Sequence, residues 1–143
     1  MGRGRHALPL ARAGFSTFGI DRELEAVRHT MAEAAAAGLR VHGWCADLTV
    51  APLPRAHFHL IVVARYLDRS YFDALADALT AGGVLLYETF TDQQRAHGWG
   101  PTSPGHLLVP DGELKRLAAR LAPLFYEEVD GTEAVARLAA RKD

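Results

Sequence analysis

Two glycines near the start of the chain are the first residues whose type and spacing suggest ligand binding. Gly2 and Gly4 lie in the segment Gly-Arg-Gly-Arg-His-Ala, just before a stretch with helical periodicity. Glycine lets the backbone approach a ligand closely, and the N–H groups at the start of a helix can bind a carboxylate or a phosphate. The segment alone does not distinguish a ligand-binding turn from an exposed Arg-Gly terminus.

Two aspartates follow predicted strands, where each could contact a nucleoside. Asp21 comes one helix and one strand after the glycines, a position from which an acidic side chain can accept hydrogen bonds from both ribose hydroxyls. Asp47 follows the next predicted strand, where its carboxylate could accept from an adenine amino group while Leu48 covers the ring. Both have a structural alternative, because Asp21 would also cap a helix and Asp47 would also begin a turn.

Arg65 and Tyr66 follow the most apolar predicted strand. A guanidinium and a phenol are an unusual pair at the exit of a buried strand. In an open α/β sheet, ligands bind outside the carboxyl ends of the strands, which is where these two side chains and the two aspartates are expected.

The elements that position these residues alternate between helix and strand. Apolar spacing predicts helices at residues 5–12, 23–37, 71–79 and 111–121, and strands at 15–20, 39–46, 58–64, 84–90, 124–129 and 134–140. Asp130-Gly131 predicts that the last two strands form an antiparallel hairpin. The pattern predicts one α/β domain over residues 1–143, with helices on both faces of a mostly parallel sheet.

Local signals add detail to this plan. Ser70 and Gly38 are expected to cap helices, and the continuous apolar run 58–64 predicts a strand buried on both faces. Cys45, the single cysteine, is expected to be a buried apolar residue. The glycine- and proline-rich segment 91–110 is long enough to suggest a lid.

Composition restricts the class of protein. The chain has 143 residues, 23% of them charged, and a net charge of −1, which is typical of a soluble globular domain. Its apolar runs fall far short of the roughly 20 residues that span a bilayer, and no secretory signal is recognisable, which predicts the cytoplasm. Scattered arginines argue against a nucleic-acid surface, and neither His57 nor His59 belongs to a metal-binding motif.

Four segments resemble class I S-adenosylmethionine-dependent methyltransferases, namely Gly2-Arg-Gly-Arg-His-Ala-Leu, Gly19-Ile-Asp-Arg-Glu, Ala46-Asp-Leu and Tyr87-Glu-Thr-Phe. The likeness covers nearly the whole chain and is closest to the small bacterial branch that includes tellurite-resistance-type methyltransferases. It implies a Rossmann-like methyltransferase sandwich that ends in an antiparallel hairpin, S-adenosylmethionine as cofactor, and methyl transfer to a small-molecule acceptor.

The resemblance also implies roles for individual residues. Gly2 and Gly4 would flank the methionine portion of the cofactor, Asp21 would hold the ribose, and Asp47 and Leu48 would contact the adenine. The side chains expected near the transferred methyl group and the acceptor are Arg65, Tyr66, Glu88, Phe90, His97 and Trp99. An anionic acceptor would pair with Arg65, whereas an amine or thiol would use Glu88 or His97 as a base.

The start of the chain departs from the family pattern. In the family, a first strand ending near an acidic residue precedes the glycine turn, and this sequence begins at the glycines. We therefore expect the sheet to lack a strand between strands 15–20 and 58–64, and we expect the natural protein to start upstream, so that this chain is N-terminally truncated.

Two alternatives remain open from the sequence. Gly2, Gly4 and Ala7 also fit the dinucleotide fingerprint of an NAD-binding Rossmann oxidoreductase, although no lysine lies four residues after Tyr66 or Tyr87 to complete a short-chain dehydrogenase site. A degenerate domain that binds a partner without catalysis is the second alternative, because of the missing strand.

Overall fold

The chain begins with a helix-strand-helix-strand unit, Met1–Pro52, in the computed structural model, which describes all residues from Met1 to Asp143. Its elements are α1 (Ala7–Arg12), β1 (Thr17–Asp21), α2 (Leu24–Ala36) and β2 (Val41–Cys45). β1 and β2 pair in parallel, with Asp21 opposite Cys45 at their carboxyl ends. These two strands form a sheet of their own.

Helix α2 shows how the sequence pattern sets the packing of this unit. Its buried residues, Val27, Thr30 and Ala34, recur at intervals of three and four and so lie on one face. After the last turn, Gly38 adopts φ of +68°, and the N–H of Leu39 donates to the carbonyl of Ala34 at 2.8 Å. The predicted end of the helix at Gly38 is confirmed, because this left-handed conformation suits glycine.

The second unit, Leu53–Asp143, contains a four-stranded sheet. Its elements are β3 (Phe58–Ala64), α3 (Phe72–Ala78), β4 (Leu79–Phe90), α4 (Glu113–Leu117), β5 (Ala122–Asp130) and β6 (Ala134–Arg141). The strand order is β3-β4-β6-β5; β3 and β4 are parallel, and β6 is antiparallel to both of its neighbours. Three strands therefore run in one direction, which confirms both the mostly parallel sheet and the C-terminal hairpin.

The core of the second unit lies between α3, α4 and the sheet. Phe72, Leu75, Ala76 and Leu79 are all buried, as their helical spacing predicts. They pack in one apolar cluster with Leu85, Leu114 and Leu138, among others. This core fixes the carboxyl ends of β3 and β4, where the predicted acceptor residues follow.

Some predicted boundaries are wrong. β4 begins at Leu79 instead of residue 84, because Gly82, with φ of +74°, and Gly83 keep hydrogen bonds to Lys142 and so continue the strand. α4 ends at Leu117, since Ala122 is already paired with Arg141 at the far end of β6.

Three predictions about local environments are also wrong. The residues of β3 are at most half-buried, because β3 is an edge strand of its sheet. Ser70 does not cap α3; its hydroxyl donates to Asp68 at 2.6 Å, and Asp68 caps the short 3₁₀ helix Arg69–Tyr71. Cys45 is exposed, because it is the last residue of β2, whose burial decreases toward its carboxyl end.

No strand precedes α1, and no ladder joins β1 to β3. This pairing agrees with the expectation of a sheet that lacks a strand between them. That residues 1–143 form a single domain, and that the natural protein starts upstream, stay predictions. None of the helices is long and apolar enough to cross a membrane.

Candidate active site

The glycine turn and the first aspartate lie together in the first unit. The N–H of Gly2 donates to Asp21 Oδ2 at 2.8 Å, although 19 residues separate the two in sequence. Gly2 and Gly4 have φ of +55° and +83°, which favours glycine at both positions. A Cβ on Gly4 would lie 2.9 Å from Thr30 Cγ2. The turn therefore needs glycine both for its conformation and for its space.

Asp21 ends β1 and receives several donors. Besides Gly2, the N–H of Glu23 donates to its Oδ1 at 3.0 Å and the ammonium group of Met1 to its Oδ2 at 3.1 Å. Burial by itself raises the pKa of Asp21, but these hydrogen bonds outweigh it and hold the pKa below its ordinary value. Asp21 is thus an ionised acceptor beside the glycine turn, and it also supports the start of α2.

Asp47 and Leu48 follow β2 in the same unit. Asp47 Oδ1 accepts from the N–H and the hydroxyl of Thr49, at 2.8 and 2.7 Å, and these bonds lower the pKa of Asp47. This is the turn-forming role that the sequence left open. Asp47 is exposed and Leu48 half-buried, and their contact with an adenine stays a prediction.

Arg65 lies immediately after β3 in the second unit, in an uncommon backbone conformation. Its φ is +56°, and its N–H donates to the carbonyl of Glu88 at 2.8 Å, which continues the parallel ladder. Its guanidinium lies over the ring of Phe90, 4.7 Å from the centroid, and Nη2 is 2.6 Å from Glu133 Oε2. Non-glycine residues at positive φ are often found at functional sites, since the surrounding structure must hold them there.

Tyr66 and Glu88 have structural partners of their own. The carbonyl of Tyr66 accepts from the hydroxyl of Tyr87 at 2.7 Å, and burial raises the pKa of Tyr87 above its ordinary value. Glu88 Oε2 is 2.7 Å from Arg137 Nε, and Arg137 also binds Glu127 at 2.8 Å. Since Glu88 is held in this cross-strand ion pair, it is poorly suited to serve as a base.

Phe90 ends β4, and His97 lies within the segment that follows it. Phe90 is buried and meets Trp99 edge to face, with ring centroids 5.8 Å apart. His97, at the end of the 3₁₀ helix Asp92–His97, has Nε2 2.7 Å from Asp130 Oδ1. The structure thus brings Arg65, Phe90 and His97 toward one hairpin. In this hairpin, Glu133 is the partner of Arg65 and Asp130 is the partner of His97.

Gln94, Asp130 and Glu133 are residues of this region that sequence reasoning missed. Gln94 is fully buried; its Oε1 accepts from the N–H of Ala134 at 2.7 Å, and its Nε2 donates to the carbonyl of Trp99 at 3.2 Å. A glutamine in a polar segment carries no signal of burial. The contacts of Asp130 and Glu133 could not be recognised from the sequence, because Asp130-Gly131 is also an ordinary turn sequence.

The segment 91–110 is fixed to the sheet at both ends. Leu108 donates its N–H to the carbonyl of Phe90 at 2.9 Å, and Asp92 donates to Leu108 at 2.8 Å. Beside it lies a cavity of about 400 Å³, lined by Arg69, Asp92, Arg95, Pro104, Gly105, Leu107 and Val109. None of the predicted site residues lines this cavity. The role of the segment as a lid stays a prediction.

Comparison with known families assigns the class of this chain. Residues 1–83 match the model of a family described as a methyltransferase domain, which is more than half of the chain. The chain therefore belongs to the methyltransferase domain family. This confirms the class predicted from the sequence and favours it over an NAD-binding oxidoreductase. Among curated proteins, none matches the chain.

Solved structures agree on the fold. TehB from Haemophilus influenzae aligns with a TM-score of 0.80 and 20% identity, over 99% of this chain and 55% of TehB. An S-adenosylmethionine-dependent methyltransferase from Mesorhizobium loti aligns with a TM-score of 0.79 and 17% identity, over 99% and 87%. Geranyl diphosphate C-methyltransferase from Streptomyces coelicolor aligns with a TM-score of 0.77 and 15% identity, over 99% and 68%.

These similarities confirm the Rossmann-like methyltransferase fold. The chain spans a little over half the length of TehB, at 55%, and most of the length of the Mesorhizobium protein, at 87%.

Proposed function

We propose that the protein transfers a methyl group from S-adenosylmethionine to a small-molecule acceptor. The observation that carries the proposal is the contact of Gly2 with Asp21, in a chain whose residues 1–83 match a methyltransferase domain. A glycine turn whose N–H groups lie beside an ionised carboxylate offers both close backbone approach and an acceptor for ribose hydroxyls.

In this proposal the chain's own residues bind and align the reactants. Gly2 and Gly4 would hold the methionine portion, Asp21 the ribose, and Asp47 with Leu48 the adenine. The bound sulfonium would supply an already activated methyl group, so no nucleophilic side chain is needed. The protein has to exclude water and orient the acceptor. Arg65, Tyr66, Glu88, Phe90 and His97 are proposed to surround the acceptor.

Calorimetric titration with S-adenosylmethionine tests the cofactor site. We expect the chain to bind S-adenosylmethionine, and Asp21→Ala to weaken binding by about 1 to 3 kcal/mol because the ribose loses a charged acceptor. Glu25→Ala is the matched control, because the side chain of Glu25 is 89% exposed in the same unit. The affinity of this variant for S-adenosylmethionine should be the same as that of wild type. Circular dichroism checks that both variants fold.

The outcomes of the titration separate the alternatives. Unchanged affinity in a folded Asp21→Ala variant would leave Asp21 a purely structural residue. Binding of NAD in place of S-adenosylmethionine would favour the oxidoreductase, and binding of neither would contradict the proposed function of this chain. A cytoplasmic location, and the absence of nucleic-acid or membrane partners, stay predictions.

A further inference from the structure

A hydrogen bond and an ion pair hold residues 130–133, the last residue of β5 and the turn that leads to β6, which we call the hairpin tip. Asp130 binds His97 Nε2 at 2.7 Å, and Glu133 binds Arg65 Nη2 at 2.6 Å. The tip is thereby tied to the carboxyl end of β3 through Arg65 and to the segment after β4 through His97. Gln94 adds a third tie, since it accepts the N–H of Ala134 next to Glu133.

The pair of His97 with Asp130 prepares one ring nitrogen as a base. A carboxylate oxygen only accepts hydrogen bonds, so the bond to Asp130 places the proton of neutral His97 on Nε2. The lone pair then lies on Nδ1, for which the structure shows no hydrogen-bond partner. A histidine oriented by a carboxylate in this way presents its other ring nitrogen as a general base.

The charges around the hairpin tip disfavour an anionic acceptor. Arg65 is already paired with Glu133, and Arg137 is paired with both Glu88 and Glu127. The hairpin tip itself holds two carboxylates, those of Asp130 and Glu133, and one guanidinium group, that of Arg65, is paired with it. An anion would have to displace Glu133 from Arg65, whereas a cation would meet a surplus of negative charge.

Trp99 adds a surface that suits a cation. Its side chain is exposed, at 48%, and it meets Phe90 edge to face. Arg65 already lies over Phe90, so the indole of Trp99 remains accessible to another positive group. Tryptophan gives the strongest cation–π attraction among the aromatic side chains.

We propose that the methyl acceptor is a primary or secondary amine, bound as an ammonium ion beside Trp99 and the hairpin tip, with His97 as its base. This inference rests on the proposed function. His97 Nδ1 takes one proton from the ammonium group, which frees the nitrogen lone pair. The nitrogen then bonds to the methyl carbon while the C–S bond breaks and its electron pair stays on sulfur. The product is an N-methylammonium ion, and His97 releases its proton to water.

Three aromatic probes test the acceptor class: 2-phenylethylamine, 3-phenylpropanoate and thiophenol. Thiophenol is largely ionised near neutral pH and needs no base. With labelled S-adenosylmethionine, we expect the amine to be methylated at least tenfold faster than the carboxylate.

His97→Asn removes the imidazole base and leaves an uncharged side chain at this position. We expect kcat/KM for the amine to fall about 100-fold at neutral pH, the lower end of the rate enhancement that a general base typically contributes. The rate with thiophenol should change less than threefold. His106→Asn is the matched control, because His106 is an exposed histidine of the same segment, and it should leave both rates unchanged.

The outcomes separate this inference from the proposed function. Tight S-adenosylmethionine binding with no methylation of the amine, or with the carboxylate preferred, would overturn the amine assignment alone. Equal amine rates in His97→Asn and wild type would overturn the role of the base. Failure to bind S-adenosylmethionine at all would overturn the proposed function, and this inference with it.

Discussion

In the folded chain, Arg65 and His97 are each paired with a carboxylate, and this pairing changes the chemistry that the two side chains would have alone. A free arginine at a strand exit is an anion receptor, but Glu133 already neutralises this one at 2.6 Å. A free histidine is an uncommitted acid or base, whereas Asp130 directs the imidazole of His97 so that Nδ1 is the accepting atom. At the residue scale, the partners contributed by the hairpin determine the charge and hydrogen bonding of these two side chains.

Thr91 gives a residue-scale prediction about stability. It is 1% exposed, and its hydroxyl is a buried polar atom with no hydrogen-bond partner. Thr91→Val keeps the shape of the side chain and removes that hydroxyl. We expect the free energy of unfolding to rise by about 1 kcal/mol, measured by urea denaturation.

Thr30→Val is the matched control for Thr91→Val. Thr30 is also fully buried, but its hydroxyl donates to the carbonyl of Gly2 at 3.0 Å. Its replacement should therefore lower the free energy of unfolding by about 1 kcal/mol. Effects of the same sign in both variants would contradict the assignment of these two hydroxyls.

At the element scale, one carboxylate fixes the end of the segment that follows β4. Glu113, in the first turn of α4, accepts from Arg69 Nε at 2.7 Å and from the N–H of Val109. Arg69 also donates to the carbonyl of Leu107 at 2.8 Å. Burial alone raises the pKa of Glu113, but the bonds from Arg69 and Val109 outweigh it and hold the pKa below 4.5.

This shift predicts a pH dependence of stability. Because the pKa of Glu113 is lower in the folded chain, its contribution is complete above pH 4.5, the ordinary value, and is lost as the pH falls through the folded value. Glu113→Gln should be less stable than wild type at pH 7, and the difference should shrink as the pH falls below 4.5. Urea denaturation across this range measures it. The free energy of unfolding of Glu25→Gln, a change at an exposed position, should follow that of wild type at every pH. A difference in stability between Glu113→Gln and wild type that stays constant with pH would contradict this account of Glu113.

At the scale of the whole molecule, each of the two compact units contains one tryptophan. Trp44 lies in Met1–Pro52 and Trp99 in Leu53–Asp143. Fluorescence of Trp99→Phe therefore reports on the first unit, and fluorescence of Trp44→Phe reports on the second. The two variants together measure whether the units unfold as one cooperative domain.

If residues 1–143 form the single domain expected from the sequence, both variants should give the same urea midpoint, and far-UV circular dichroism should agree with them. If the fluorescence midpoints of the two variants differ by more than their circular dichroism midpoints differ, the two units unfold independently. The measurement uses the 143-residue chain itself, with wild type as the reference.

The sequence by itself determined the elements, the class and much of the candidate cofactor site. Periodicity gave α2 and the six strands, because apolar spacing directly reflects which face of an element is buried. Gly2 and Asp21 could be selected from the sequence because their proposed roles depend on local properties, namely the conformational freedom of glycine and an acidic side chain at a strand end. The methyltransferase class followed from short segments of this kind.

Only the tertiary structure decided which groups surround the residues that are proposed to contact the methyl acceptor. Arg65 and Glu133 are 68 positions apart, and His97 and Asp130 are 33 apart. Gln94 bonds Ala134, 40 positions away. No periodicity records such pairs, because they form only when β6 returns antiparallel between β4 and β5 and brings the hairpin tip to the ends of the parallel strands. The burial of Gln94, the charges around Arg65 and the accepting nitrogen of His97 depend on this position of β6. They could therefore be determined only from the folded chain.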